Sequence, residues 1–290
     1  MRLDKAVVER GLARSRTRAQ QLIDAGQVLV DGEVSRKGSH AVDPASVTLA
    51  PEAGGVSDEV SRAQRKLERA LELWPGVTHG VEEAVDVGAS TGGFTQVLLR
   101  AGVSCVWAVD VGHDQLVDSL RRDERVVVRE GVNARDTNAL EAAGLTEGGV
   151  GLVVCDVSFI SLRHILPSIR WLLGAGGHAV VLCKPQFEVG PQGSQRGVVR
   201  SPQTRRQAVV EVLSAAGAAG LVPRSLAVSG TPGTHGNVEF LLHLELPAAD
   251  GGGAPLAGDG REVVGAAWHS ELPDVSNSFW DGEESDAYDL

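Results

Sequence analysis

From residue 84 onward the chain alternates short apolar runs with amphipathic segments, and this alternation restricts the fold more than any other feature. The runs are AVDVGA (84–89), CVWAVDVG (105–112), RVVVREG (125–131), GLVVCDVSF (151–159), HAVVLCK (178–184), SLAVSG (225–230) and VEFLLHLEL (238–246). Helical patterns fall between them near 92–101, 114–122, 135–143, 161–173 and 202–219. Strand–helix alternation of this length predicts an α/β fold, a mostly parallel sheet covered by helices on both faces. Such sheets take their ligands beyond the carboxyl ends of the strands. The chemistry is therefore to be sought where the apolar runs stop.

The first run opens into DVGASTGGF (86–94). Small residues at Gly88, Ala89, Gly92 and Gly93 let the backbone turn tightly into a helix and approach a ligand closely. Asp86 precedes this loop, and Asp110 ends the second run about 20 residues later, where an acid binds ribose hydroxyls. Nicotinamide dinucleotides and S-adenosylmethionine both satisfy that pattern. Three further ionisable groups sit at run ends: Asp156 after the fourth, Lys184 after the fifth and Glu239 at the start of the last. Pro185 stops the ladder after Lys184. Burying an ammonium group is costly unless something compensates it.

Taken singly, each group has an ordinary explanation. A lysine after a strand is most often a surface charge, Asp156 would serve as a helix cap, and Glu239 as an edge charge against aggregation. Three such groups at separate ends of one sheet, beside a cofactor loop, favour a site. A basic helix, SRAQRKLERAL (61–71), leads into the domain and sets Lys66 one turn from Arg62 and Arg69. His164, His178, His235 and His243 lack metal-ligand spacing, so no metal is expected.

The first 50 residues form a separate small α+β pattern. Leu3, Val7, Val8 and Leu12 make one helical stripe, and Ala19, Leu22 and Ile23 a second, with Ser15 placed to cap it. Val28 and Val30 then alternate, Asp31-Gly32 turns, and Val34 resumes. PEAGGVSDEV (51–60) reads as a linker. The formal charge of −11 is uneven, with +3 over the first 37 residues and −9 from Pro247 onward. That acidic tail, 247–290, shows no sustained periodicity and reads as disordered. The three cysteines, Cys105, Cys155 and Cys183, lie in apolar runs and read as reduced core residues of a cytoplasmic protein. No apolar run approaches the ~18 residues of a membrane span.

The head pattern, RLDKAVVERGL and SRTRAQQLIDAGQVLVDGE, resembles the alpha-L RNA-binding domain found in a ribosomal small-subunit protein and in RNA-modifying enzymes. The resemblance implies that Arg14, Arg16, Arg18, Arg36 and Lys37 face RNA phosphates. Together with SR..RKL..AL, DVGASTGGFT, AVDVG..QL, DVSFIS, KPQFE and GNVEF, it resembles the TlyA family, 2′-O-ribose methyltransferases of ribosomal RNA with an FtsJ-type catalytic domain. The resemblance implies a Rossmann-like S-adenosylmethionine-dependent methyltransferase sheet over 61–246, behind a small N-terminal RNA-binding domain. It implies a catalytic set of Lys66, Asp156, Lys184 and Glu239. The cofactor would lie against Asp86, Gly88, Ala89, Ser90, Thr91, Gly92, Gly93, Phe94, Asp110, Asn133 and Asp156. The implied substrate is a cytidine 2′-hydroxyl in rRNA of the small subunit, the large subunit or both, with a monomer as the expected state.

Methylating a ribose hydroxyl asks mainly that a weakly acidic group become nucleophilic. A lysine amine serves as base when burial or a nearby cation favours its neutral form; as an ammonium it stabilises a developing alkoxide. Lys184 is assigned that place, Lys66 the neighbouring cation, Asp156 the positioning of Lys184, and Glu239 that of Lys66 or the ribose. The segment 188–206 brings Arg196, Arg200, Arg205 and Arg206 beside Lys184 and reads as an RNA-facing lid, with Arg62 and Arg65 adding to the basic surface. Other readings stay open: a nicotinamide-linked oxidoreductase, a non-catalytic ribosome-assembly factor, or a haemolysin, although no segment has the pattern of a membrane-inserting helix.

Overall fold

The computed structural model describes residues 1–13, 16–24, 26–50, 63–190, 193–194, 197–248, 277–282 and 287–290. The head holds helices α1 (Leu3–Glu9) and α2 (Arg16–Asp24) and strands β1 (Val28–Val30), β2 (Glu33–Val34) and β3 (Val47–Leu49), in the antiparallel order β2-β1-β3. Its core is made of the expected stripes, Leu3, Val7, Ala19, Leu22, Ile23 and Val28, together with Val47. Asp31 and Gly32 both take positive φ (51° and 85°), which matches the twist of the β1–β2 hairpin. The third strand goes unpredicted because Val47 and Leu49 offer only one alternation behind a proline-started turn at Pro44–Ser46. Ser15 and the 51–60 linker lie outside the described residues.

The larger unit opens with α3 (Gln64–Leu73) and continues as β4 (Glu83–Val87), α4 (Gly93–Arg100), β5 (Cys105–Asp110), α5 (Asp118–Arg121), β6 (Val126–Glu130), α6 (Thr137–Ala142), β7 (Val150–Cys155), α7 (Leu166–Leu172) and β8 (Leu173–Cys183). It then runs through α8 (Pro185–Glu188), α9 (Pro202–Ala218), β9 (Val222–Val228) and β10 (Phe240–Glu245). Strands β6, β5, β4, β7 and β8 are parallel neighbours in that order. The central strands β4 and β7 and the second half of β8 are buried on both faces, because both faces are covered there. One core joins Val85, Val153 and Val181 to Ile169 and Val209, and the other joins Leu152 and Leu182 to Leu67 and Leu98.

The chain leaves β4 toward β5 and β6, then returns to build β7 and β8 on β4's other side. The sheet therefore has its switch point between β4 and β7, where ligand crevices form. β10 lies between β8 and β9 and runs antiparallel to both. A strand joined to its neighbour by the short 229–239 connection has no room for a parallel crossover. Its amino end, with Glu239 just before it, thus meets the carboxyl ends of the parallel strands.

The end of the chain departs from expectation. Residues 277–282 and 287–290 pack on the domain instead of forming a disordered terminus. Asn277–Asp281 form α10, and Ala287–Asp289 form β11, which pairs antiparallel with β9 at the sheet's outer edge. Phe279 and Trp280 are buried against Phe240, at ring-centroid distances of 5.8 and 5.4 Å, and Tyr288 meets Phe279 edge-on. These three aromatics are too few and too spaced to show periodicity, and a composition average dominated by Gly and acids hides them. The rest of the expected disordered stretch, 249–276 and 283–286, lies outside the described residues. Cys155 and Cys183 are free and buried, whereas Cys105, at the start of β5, is partly exposed rather than a core residue. Among the described residues no helix is long and apolar enough to cross a membrane.

Candidate active site

Four charged side chains converge at the carboxyl edge of the sheet. Asp156 follows β7 directly, and its N–H donates to the Val87 carbonyl at 3.1 Å, which ties it to the end of β4. Lys184 follows β8 directly. Phe240 pairs with Cys183, so Glu239 and Lys184 are the next residues out along one antiparallel ladder. Lys66 arrives from the first turn of α3, on the face that also buries Gln64, Leu67 and Ala70.

These residues form two ion pairs. Lys66 Nζ donates to Glu239 Oε2 at 2.6 Å, with side chains 10% and 3% exposed. Gln186 Nε2 donates to the other Glu239 oxygen at 3.4 Å. Lys184 Nζ lies 2.5 Å from Asp156 Oδ1, with side chains 10% and 13% exposed. That contact is poorly angled for a hydrogen bond: Asp156 Oδ1 has no aligned donor, and Lys184 donates instead to Ser158 Oγ at 2.8 Å. Lys66 is thus paired with Glu239 and Lys184 with Asp156, and the two pairs stand side by side.

The glycine loop lies beside this pair of pairs. At Gly88 (φ 85°) a Cβ would stand 3.0 Å from the Asp156 carbonyl, so only glycine lets the loop pass so close. Gly92 (φ 100°) starts α4 where a Cβ would meet Leu120. Ala89 and Phe94 are buried and face the core, so they shape the loop. Asp110 accepts the Ser90 and Gly112 N–H groups, at 2.8 and 2.7 Å. A carboxylate has about four acceptor positions, so two remain for ribose hydroxyls. Asn133 is exposed at the same edge, and Thr91 is partly exposed.

Asp86 is fully buried, and Thr95 Oγ1 donates to its Oδ2 at 2.6 Å. Burial first, then the neighbouring Asp156 and Asp110 charges, push its carboxyl up to about 7 against the Thr95 hydrogen bond. Its Oδ1 is buried without a partner. An adenosine ligand fits this lining: a backbone cradle, an acid at the second strand and a carboxylate, Asp86, with one oxygen unpartnered.

Residues the sequence did not single out complete the site. Glu188 is buried on α8; burial raises its carboxyl, while Ser161 Oγ and the Leu162 N–H, at 2.8 Å, donate to it. It thereby fixes the loop that carries Asp156 and Ser158. Phe159 is 91% exposed and holds φ 64°, an uncommon conformation for a bulky residue, with its ring 5.2 Å from that of Phe187. Neither exposure nor backbone sign is visible in a DVSF string.

The basic residues divide. Lys37, Arg65 and Arg200 are exposed. Arg16 is exposed but bonds to Asp4 at 2.7 Å, which, with Arg2, holds that carboxyl well below the usual carboxylate range. Arg36 donates to the Asp24 carbonyl at the end of α2. Arg14, Arg62 and Arg196 lie outside the described residues, as does the side chain of Arg18. Arg205 and Arg206 belong to α9 rather than to a lid over Lys184, Arg205 buried and Arg206 partly exposed. Among the described residues no group of three or more His, Cys, Asp or Glu could hold a metal.

Residues 59–246 match the FtsJ-like methyltransferase family, and residues 1–47 match the S4 domain. The chain is 44% identical over 245 residues to the 16S/23S rRNA (cytidine-2′-O)-methyltransferase TlyA of Mycobacterium tuberculosis, covering 84% of this chain and 89% of that one. A solved structure of a hemolysin-named protein from Streptococcus thermophilus superposes with a TM-score of 0.62 at 36% identity, covering 93% of this chain and 96% of that one. A second, from Lactococcus lactis, gives 0.61 at 40% identity over 67% and 93%.

Proposed function

Because the chain belongs to the FtsJ-like methyltransferase family, as a TlyA relative with an S4 head, we propose that it transfers a methyl group to a ribose 2′-hydroxyl, that of a cytidine, in ribosomal RNA. The observation that carries this reading is the meeting of two lysine–carboxylate pairs beside a glycine cradle at one sheet edge. A redox enzyme on the same fold needs no such pairs. The hemolysin-named relatives are members of the same family and give no reason for a separate membrane activity.

When bound, S-adenosylmethionine supplies a methyl group on a sulfonium centre, an electrophile with a good leaving group. The protein's task is the hydroxyl. Lys184 is placed to hold the O2′ proton or take it, and Asp156 sets the direction of its amine. The Ser158 hydroxyl, which accepts from Lys184, is the position a substrate oxygen would share or replace. Lys66 and Glu239 are a neutralised pair that holds the ribose side of the site. Gly88, residues 90–93, Asp110 and Asn133 would hold the cofactor, with Asp86, Ala89 and Phe94 shaping the loop from the core side.

Phe159 supports a nucleotide substrate. A base turned out of its helix needs an apolar face, and stacking of this type is worth about 1–3 kcal/mol per base. The exposed arginines and the S4 head supply phosphate contacts, which position an RNA without choosing its sequence. We place the protein in the cytoplasm with its ribosomal substrate, acting as a monomer on rRNA of one or both subunits. Labelled methyl transfer to isolated 30S and 50S subunits, with mapping of 2′-O-methyl positions, tests the whole reading. Transfer should appear at a cytidine ribose and vanish in Lys184→Ala; transfer to a base, or none with the wild type, would overturn it.

A further inference from the structure

The last described residues reach the site from behind. α10 and β11 form a strap that lies beyond residue 246, where the match to the methyltransferase family ends. The strap is gripped by Arg205, a residue only 9% exposed. The guanidinium donates to the Trp280 carbonyl at 2.7 Å, to Asp281 Oδ1 at 2.8 Å and to the Val199 carbonyl at 3.0 Å. Val199 in turn donates its N–H to Asn237 Oδ1 at 3.1 Å, and Asn237 Nδ2 donates to the Gly197 carbonyl at 2.9 Å. Asn237 is buried and lies two residues before Glu239.

The strap also touches both neighbours of Glu239. Gly282, at φ 84°, closes α10 so tightly that a Cβ there would lie 3.1 Å from Val238 Cγ1. On the other side, Phe240 packs against Phe279 and Trp280. Glu239 is therefore flanked on both sides by residues the strap holds, and its own carbonyl accepts the Ser229 N–H at 2.9 Å. Loosening the strap would leave a buried guanidinium short of two acceptors, a costly state that the chain escapes only by moving α9 or the start of β10.

We propose that the strap is a positioning element for the reaction: its docking holds Glu239 on Lys66 and the 197–199 segment on Asn237. Arg205, Asn237, Trp280 and Asp281 act through these contacts and touch neither substrate nor cofactor. The inference rests on the methyltransferase reading given above. A misplacement of about 1 Å at a reacting group costs on the order of a hundredfold in rate, so a strap remote from the chemistry can still govern turnover.

The test uses full-length protein with Asp281→Ala, Trp280→Ala or Gly282→Val, each also in a Glu239→Gln background. Turnover on 30S and 50S subunits is measured per cofactor-binding site, with the site count taken from calorimetric titration with S-adenosylmethionine. The expected result is a fall in kcat of about tenfold or more with cofactor affinity within about twofold, and no further fall in the Glu239→Gln background. Unchanged kcat per binding site, or full additivity with Glu239→Gln, overturns the inference and assigns the strap to stability alone. If Trp280→Ala or Gly282→Val fails to fold, Asp281→Asn and Gly282→Ala give the milder pair, read by the same two criteria. A wild type that methylates neither subunit sinks the functional reading instead, so the two failures are told apart.

Discussion

The two lysine–carboxylate pairs use the same chemistry and differ in how completely each is satisfied. The lysines are equally buried, at 10% side-chain exposure. Lys66 meets Glu239 in a well-formed hydrogen bond, and Gln186 takes the remaining oxygen. Lys184 presses on Asp156 off the hydrogen-bond line and gives its donor to an exposed serine hydroxyl. A satisfied buried pair resists change, because each charge needs the other. A half-satisfied pair has capacity left for a substrate. On the proposed reading, the inner pair holds and the outer pair reacts.

The strongest way to break this contrast is at the outer pair. Lys184→Ala should lower kcat for methyl transfer by about 10²–10⁴ while costing less stability than Lys66→Ala does. An equal loss of stability would erase the distinction. At the inner pair, Lys66→Ala strands the buried Glu239 carboxylate and should cost about 3–5 kcal/mol in denaturant unfolding. Adding Glu239→Gln should recover much of that loss, as a shared penalty requires.

Asp86 extends the comparison to a carboxylate that bonds to threonine instead of lysine. Its folded carboxyl titrates near about 7, above the ordinary value of 3.8. The sign follows directly. The native state holds that proton more tightly than the unfolded chain, so the group's contribution is present at low pH and is lost as pH rises from about 4 through 7. Wild-type stability should fall over that window by roughly 1–3 kcal/mol relative to Asp86→Asn, measured by unfolding at stepped pH. The smallest effect is expected at Ser158→Ala, which removes one hydrogen bond from Lys184. A change of only a few-fold in kcat, with unchanged cofactor affinity, would mark Ser158 as a place-holder for the substrate oxygen. A hundredfold loss would give the serine a part in the chemistry.

The sequence exposed what local patterns can carry. Three of the four site residues end or begin an apolar run, so Asp156, Lys184 and Glu239 were visible as charges where a buried strand stops, and the parallel sheet followed from the same runs. What stayed hidden depends on tertiary pairing. Nothing in VEFLLHLEL says that β10 enters between β8 and β9 in the opposite direction. Arg205 looks like its exposed neighbours because its burial is decided by Trp280 and Asp281, over 70 residues away. The strap itself was lost in the average of an acidic tail. Phe159 carries its information in exposure and backbone sign, neither of which a residue string contains.

The insertion of β10 also has a consequence in time. The ladder between β8 and β9 closes only when residues 240–245 are in place. Lys66, synthesised more than 170 residues before Glu239, waits for its counter-charge through most of translation. Non-local closure of this kind is slow, since the loop must be drawn together before any contact rewards it. A ribosome making this chain therefore carries a sheet whose central gap is still open, and a site without its inner pair, until nearly the whole domain has left the exit tunnel.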